Sequence, residues 1–206
     1  MRTIIYVDGF NLYYRALKNT PYKWLNLNVL FKNILNESNE IELIRYFTAR
    51  ISGKKDPDQP RRQQIYLEAL TTIPYLSIHY GKFLVKQNKR PISGSNPQRF
   101  VLVDNFEEKG SDVNLASYLI HDGWKDLYDV AVVVTSDTDL IEPIKLVRHD
   151  LKKTVGLISP SKSCPKGLES VADFRKHIRK SDLNKSMFPE ILTTSTGKII
   201  RKPSLW

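Results

Sequence analysis

Four aspartates carry the chemistry open to this chain: Asp8, Asp112, Asp137 and Asp139. Each has an ordinary use taken singly. Asp8-Gly9 suits a turn, Asp112 suits the positive end of a helix dipole, and Asp137 with Asp139 suits an N-cap followed by a first-turn acid. Taken jointly they say more, because Asp8 and Asp137 each close an apolar run and so stand where a buried strand opens into a loop. Carboxylates brought together repel and raise one another's pKa unless a cation neutralises them. A chain with 32 Lys and Arg against 22 Asp and Glu had basic side chains to spare for that task, so a bound metal is the economical explanation. An all-oxygen donor set selects a hard ion, Mg²⁺ or Mn²⁺, over zinc or copper. Such ions activate water and stabilise the leaving oxygen of a phosphodiester, which makes hydrolysis at phosphorus the expected chemistry. Asn11, three residues past Asp8, points at the same mouth if a helix starts near Gly9, and its other use is as an N-cap. Thr135 and Ser136 add strand-end hydroxyls, and Lys109 shortly precedes Asp112 at a place suited to a phosphate. His79, His121, His149 and His177 lack metal-ligand spacing and read as surface or satisfied core residues.

The elements that must position these groups follow from periodicity. Thr3 to Val7 is a β-branched run ending at Asp8-Gly9, the pattern of a buried strand. Helical spacing covers the stretch from Leu12 to Leu35, interrupted near Pro21, which predicts two helices. A second strand is expected over Ile41 to Ile51 and a helix opening at Pro60. Leu76 to Val85 and Phe100 to Phe106 are β-rich, and Asn88 to Pro97 between them reads as an exposed loop able to touch substrate. Ser111 is placed to cap a helix reaching Ile120, with Val113, Ala116, Leu119 and Ile120 facing inward and Asp112 in its first turn. Val130 to Val134 is continuously apolar, as a strand covered on both faces must be. A helix over Leu140 to Leu151, a strand over Thr154 to Ile158 and a short helix over Gly167 to Phe174 complete the rhythm. Alternating strands and helices imply a mainly parallel sheet with right-handed crossovers, whose site lies beyond the carboxyl ends of its strands. Asp8, Asp137 and Asp139 then converge on one edge. One domain over residues 1–180 with a mostly irregular tail over 181–206 is the expected organisation.

Bulk properties narrow the partners. The formal net charge is +10 and the pI about 9.6, which favours a polyanion. Basic residues cluster at Lys86, Lys89, Arg90 and Arg99 around the loop, at Arg148, Lys152 and Lys153, and at Arg175, Lys176, Arg179 and Lys180. A solvated face is the plain explanation for each. One cysteine, Cys164, permits no internal disulfide or thiolate cluster, and the amino terminus carries no cleavable signal pattern, so the expected location is cytoplasmic with no membrane partner.

Three ordered blocks then meet a known family. Tyr6-Val7-Asp8-Gly9-Phe10-Asn11-Leu12, Glu108-Lys109-Gly110-Ser111-Asp112-Val113-Asn114-Leu115-Ala116 and Val133-Val134-Thr135-Ser136-Asp137-Thr138-Asp139-Leu140 closely resemble the signatures of the NYN domain, a group in the PIN-like nuclease superfamily. The resemblance runs over nearly the whole chain. It implies a Rossmann-like α/β fold with helices on both faces of the sheet and metal-dependent ribonuclease activity. It also implies metal ligands at Asp8, Asp112, Asp137 and Asp139, with Asn11 beside them. RNA, single-stranded or structured, is the expected partner, contacted through Lys109, Lys86, Lys89, Arg90, Arg175, Lys176 and Arg179. DNA is left open, as is a homo-oligomer. Where many relatives carry a glycine after the serine of the third block, this chain runs directly from Ser136 to Asp137, a tighter turn that bears on Asp139. The rival within the same fold is an RNA-binding module without catalysis, gripping single strands through its basic clusters and Tyr13, Tyr14, Trp24 and Tyr80. Dehalogenase-like and topoisomerase-primase-like phosphotransfer folds fit less well, because the Asp137-Thr138-Asp139 pair is not on the first strand and that strand carries no early glutamate. No P-loop pattern occurs.

Overall fold

A computed structural model describes residues 1–54 and 56–206. In chain order its elements are β1 (Arg2–Asp8), α1 (Gly9–Leu12), a π-helical turn (Tyr13–Leu17), α2 (Leu27–Ile34), β2 (Glu40–Thr48), α3 (Gln59–Leu70), β3 (Leu76–Tyr80), β4 (Lys82–Pro91) and β5 (Phe100–Lys109). There follow α4 (Ser111–Trp124), β6 (Val130–Val134), a 3₁₀ turn (Thr138–Leu140), α5 (Ile141–His149), β7 (Thr154–Ser159), α6 (Lys166–Ser170), β8 (Phe174–His177), α7 (Lys180–Asn184), β9 (Ile191–Thr193) and β10 (Ile199–Arg201). Six strands form one parallel sheet in the order β3-β2-β1-β6-β7-β8, with helices covering both faces. This is the α/β fold the alternation implies.

The two-residue period of a strand explains why β1 and β6 are apolar throughout. Ile5, Val7, Val130, Val132 and Val134 enter one core with Trp24, Leu30, Phe31 and Leu70, while Ile4, Tyr6, Ala131 and Val133 enter the other with Leu115, Leu119, Ile144 and Leu168. The second core also holds a buried ionic network. Asp122 accepts from Arg45 Nε at 2.7 Å and from the Tyr6 hydroxyl at 2.8 Å, and the Arg45 guanidinium lies over the Tyr118 ring at 4.5 Å. His79 packs between Phe47 and Tyr118, and burial, with the nearby Arg45 charge, lowers its pKa.

Several boundaries differ from the periodic reading. The β-rich run over Leu76 to Val85 breaks at Gly81 into a sheet strand and the first arm of a separate hairpin, in which β4 pairs antiparallel with β5. Pairing extends β4 through Pro91, so Asn88 to Pro91 belong to a strand rather than to the loop. Residues Gly167 to Phe174 hold a shorter helix and then the start of β8. On α4 the inward positions are Leu115 and Leu119, while Val113 is exposed, Ala116 and Ile120 are half-buried, and Ser111 is inside the helix rather than its cap. The last segment holds α7 and the β9–β10 hairpin, and its Phe188 and Trp206 rings stand 5.7 and 6.4 Å from Trp24. No helix among the described residues is long and apolar enough to cross a membrane.

Candidate active site

β1 and β6 are neighbours in register, Val7 opposite Val134, so the residues that follow each of those valines emerge side by side at the carboxyl edge. Asp8 is the pivot. Its Oδ1 accepts the backbone N–H of Asn11 at 2.9 Å, capping the short α1, and its Oδ2 accepts the Thr135 hydroxyl at 3.0 Å. Thr135 Oγ1 in turn accepts the Asp137 N–H at 3.0 Å, and Asn11 Oδ1 accepts the Ser136 N–H at 3.0 Å. The two strand ends are thus stitched to each other by side chains. Gly9 is required at this seam because a Cβ there would stand 2.7 Å from both the Phe47 carbonyl oxygen and the Tyr46 ring.

Asp112 arrives from a different direction. Gly110 adopts φ of 96°, the left-handed region that glycine enters without strain, and so β5 turns at once into α4. Glu108 anchors the turn by accepting the Ser111 N–H at 3.1 Å and the Ser111 hydroxyl at 2.7 Å. Asp112, in the first turn of α4, is half-buried.

The acids feel one another. Asp8 is 5% exposed, and burial pushes its carboxyl up to about 7, the Asn11 and Thr135 bonds opposing and the charges of Asp112 and Asp137 adding to the rise. Asp112 is raised first by burial and then by Asp137, Glu108 and Asp139. Asp137 is half-buried and caps the 3₁₀ turn by accepting the Asp139 N–H at 3.0 Å, which leaves Asp139 exposed on the rim. Asp8, Asn11, Asp112 and Asp137 therefore share one edge, with Asp139 at its margin. Glu108 is a fifth acid in this field; only its place four residues before Asp112, in the second motif block, signalled it. The donor chemistry fits a hard divalent cation, and an uncompensated negative field is what such an ion relieves. Among the described residues, no three acidic, histidine or cysteine side chains are grouped to hold an ion as they stand, so binding requires the carboxylates to draw together.

The basic residues divide. Lys109 flanks the acids but is exposed and pairs with Glu107 at 3.5 Å. Lys86, Lys89 and Arg90 lie exposed along β4, the arm that leaves the sheet. Arg175, Lys176 and Arg179 sit at and beyond β8, two strands from Asp137; Arg175 pairs with Glu169 at 2.7 Å and Lys176 Nζ donates to the Ile34 carbonyl at 2.5 Å. The fold does not bring these two groups together.

Next to Asp8, between α1, β2 and α3, lies a cavity of about 370 Å³. Gly9, Phe10 and Tyr46 line it and tie it to the acidic edge; Tyr13, Tyr14, Tyr66 and Trp206 extend its walls. No periodicity marks such a space, because its walls come from four distant segments.

The family model described as NYN domain matches residues 2–179. The chain is 30% identical over 237 aligned positions to 6-hydroxy-3-succinoylpyridine 3-monooxygenase HspA of Pseudomonas putida, covering 100% of this chain and 75% of that protein. A crystal structure of a protein of unknown function from Vibrio parahaemolyticus superposes with a TM-score of 0.57 at 17% identity, over 91% of this chain and 96% of that one, a likeness of fold alone.

Proposed function

We propose, on the premise that this chain belongs to the NYN domain family and carries its PIN-like nuclease fold, that it is a metal-dependent ribonuclease acting at the Asp8 edge. The observation that carries the reading is the convergence of Asp8, Asp112 and Asp137 on one edge, where burial lifts Asp8 to about 7 and the charges of Asp112 and Asp137 add to the rise. Asp8, Asp112 and Asp137 are the proposed ligands for Mg²⁺ or Mn²⁺, with Asp139 closing from the rim. A bound divalent ion supplies Lewis acidity at phosphorus and charge for the developing oxyanion. The chain's own groups orient the reaction. Thr135 and the Asn11 N–H hold both oxygens of Asp8, so the carboxylate cannot rotate away. Asn11 Oδ1 is fixed by Ser136, which leaves its Nδ2 to donate to a phosphate oxygen. Lys109, exposed at the end of β5, meets the polymer backbone.

The test is a time course on a panel of single-stranded, structured and DNA substrates in Mg²⁺ and in Mn²⁺, with a chelator control. RNA cleavage that stops with chelator and with Asp8→Asn or Asp137→Asn supports the reading. Wild type and variants that bind RNA alike and cut nothing would make the chain a binding module. A second reading is favoured by the name of the Pseudomonas relative together with the ring-walled cavity: conversion of a small heteroaromatic acid. Consumption of 6-hydroxy-3-succinoylpyridine in the presence of dioxygen and a hydride donor, with no RNA cleavage, would favour it.

A further inference from the structure

The cavity beside Asp8 has features that packing alone does not explain. At about 370 Å³ it falls within the range of roughly 300–1,000 Å³ usual for small-ligand sites. Tyr46 is 6% exposed and contributes its ring to the wall, yet no group among the described residues hydrogen-bonds its hydroxyl. A hydroxyl on a cavity wall with no protein partner is available to a guest. Gln59 and Lys23 also line the space, and neither forms a side-chain hydrogen bond or ion pair among the described residues. The guest that suits these walls is flat, aromatic and studded with polar edges.

Aromatic rings that run from the cavity wall out to β4 decide which kind of guest that is. Tyr13 and Tyr14 meet edge to face at 5.3 Å between centroids; Tyr14 stacks on Phe10 at 6.4 Å, and Phe10 on Phe83 at 6.4 Å. Phe83 is on β4, which continues outward with exposed basic residues, Lys89 on the face of Phe83 and Lys86 and Arg90 on the opposite face. A line of rings thus leaves the cavity, passes the acidic edge and joins a basic strand. A free small acid has no use for such a track. A single strand uses all of it, because each base offers a π-face and each linkage a phosphate.

We propose that the cavity is a base-binding subsite, taking one unpaired RNA base next to the bond presented to Asp8, with neighbouring bases stacked along Tyr14, Phe10 and Phe83. This rests on RNA being the substrate, and it predicts a footprint in which one base is sequestered and its neighbours are not. The Tyr46 hydroxyl and the Gln59 amide face the edge of that base, and Lys23 the phosphate beside it.

The experiment uses the full chain in chelator, so that binding is read without cleavage. A short single-stranded RNA carries 2-aminopurine at each position in turn. One position is expected to show strong fluorescence quenching on binding. Removing the base at that position, Tyr14→Ala at the mouth, or Ile51→Trp to fill the space should each weaken binding about tenfold, the loss of one stacked base. Tyr14 is 56% exposed, so its variant keeps the assay meaningful if Ile51→Trp fails to fold. Quenching at no position, or an abasic strand bound as tightly as the intact one, overturns the proposal. So does Ile51→Trp blocking 6-hydroxynicotinate while leaving RNA affinity unchanged, which would give the cavity to a small acid. Nuclease and subsite fail separately: a sequestered base with no cleavage in Mg²⁺ or Mn²⁺ removes the nuclease and keeps the subsite, and cleavage without quenching does the reverse.

Discussion

Asparagine at position 8 separates the electrostatics of the acidic edge from its packing. Asp8 titrates near 7 in the folded chain against an ordinary value of 3.8. At 1.36 kcal/mol per unit, those three or so units amount to about 4 kcal/mol. For an acid whose folded pKa is raised, the unfolded chain loses its proton first. Stability therefore falls as pH rises from about 4 to about 7, and the full penalty applies above that window. Asp8→Asn removes the charge but spoils one of the two hydrogen bonds, since Thr135 donates to Oδ2, at a cost of about 1 kcal/mol. Near pH 8, in chelator, the variant should be more stable than wild type by about 3 kcal/mol, or roughly 6–12 °C in Tm at this chain length. Near pH 5 most of that advantage should be gone. Adding Mg²⁺ near pH 8 should raise the wild-type Tm and leave the variant nearly unmoved, because the ion neutralises a charge the variant lacks. Urea melts at both pH values, with and without Mg²⁺, measure all four corners. A variant that is destabilised equally at both pH values would refute the electrostatic account, and so would wild-type stability that is flat across the window.

Other perturbations reach different parts of the molecule. Asp122→Ala leaves the half-buried Arg45 and the Tyr6 hydroxyl without their partner and should cost about 3–5 kcal/mol by urea denaturation, whereas Asp129→Ala, in an exposed pair with Arg2, should leave the urea midpoint almost unmoved. Trp24→Ala should cost about 3–5 kcal/mol, and removing residues 181–206 should be at least as damaging, because Trp24 packs on Phe188 and Trp206 and donates its indole N–H to the Pro189 carbonyl at 2.8 Å. A truncated chain with an unchanged Tm would show the last segment to be an appendage. Charge reversal at Lys86, Lys89 and Arg90 should lower RNA affinity and flatten its salt dependence by about one unit of slope for each phosphate no longer neutralised, while reversal at Arg175 and Lys176, already held by Glu169 and Ile34, should change the slope less. Equal slopes for the two sets would remove β4 from the interface.

Much of this protein can be read from its residues, and each part that can has a local cause. Val130 to Val134 declares a strand covered on both faces, because a run of five apolar residues, four of them β-branched, with loops on either side is too short for a buried helix and suits a doubly covered strand. Asp8-Gly9 and Ser136-Asp137 declare strand ends, and once the sheet is parallel those ends must share an edge. The NYN blocks add Asp112, which periodicity alone places only at a helix start. Local pattern misled where pairing partners decided the outcome. The run over Leu76 to Val85 is equally β-rich on both sides of Gly81, but Leu76 to Tyr80 found β2 and Lys82 to Val85, with the rest of β4, found β5. The stretch from Asn88 to Pro91 has turn composition, yet its partners on β5 hold it extended.

The residues by themselves therefore determined the α/β class, the strand ends and the identity of the acids, since each depends on a property carried within a few neighbouring positions. Only the tertiary structure decided how those acids meet, which of them is buried, and that a ring-lined cavity opens beside them. Burial and charge coupling are sums over groups far apart in the chain: Asp8 is held by Thr135, 127 positions away, and Tyr66 and Trp206 share a wall although 140 residues of chain, by their numbering, separate them. A linear pattern carries no record of such distances until the sheet has closed them.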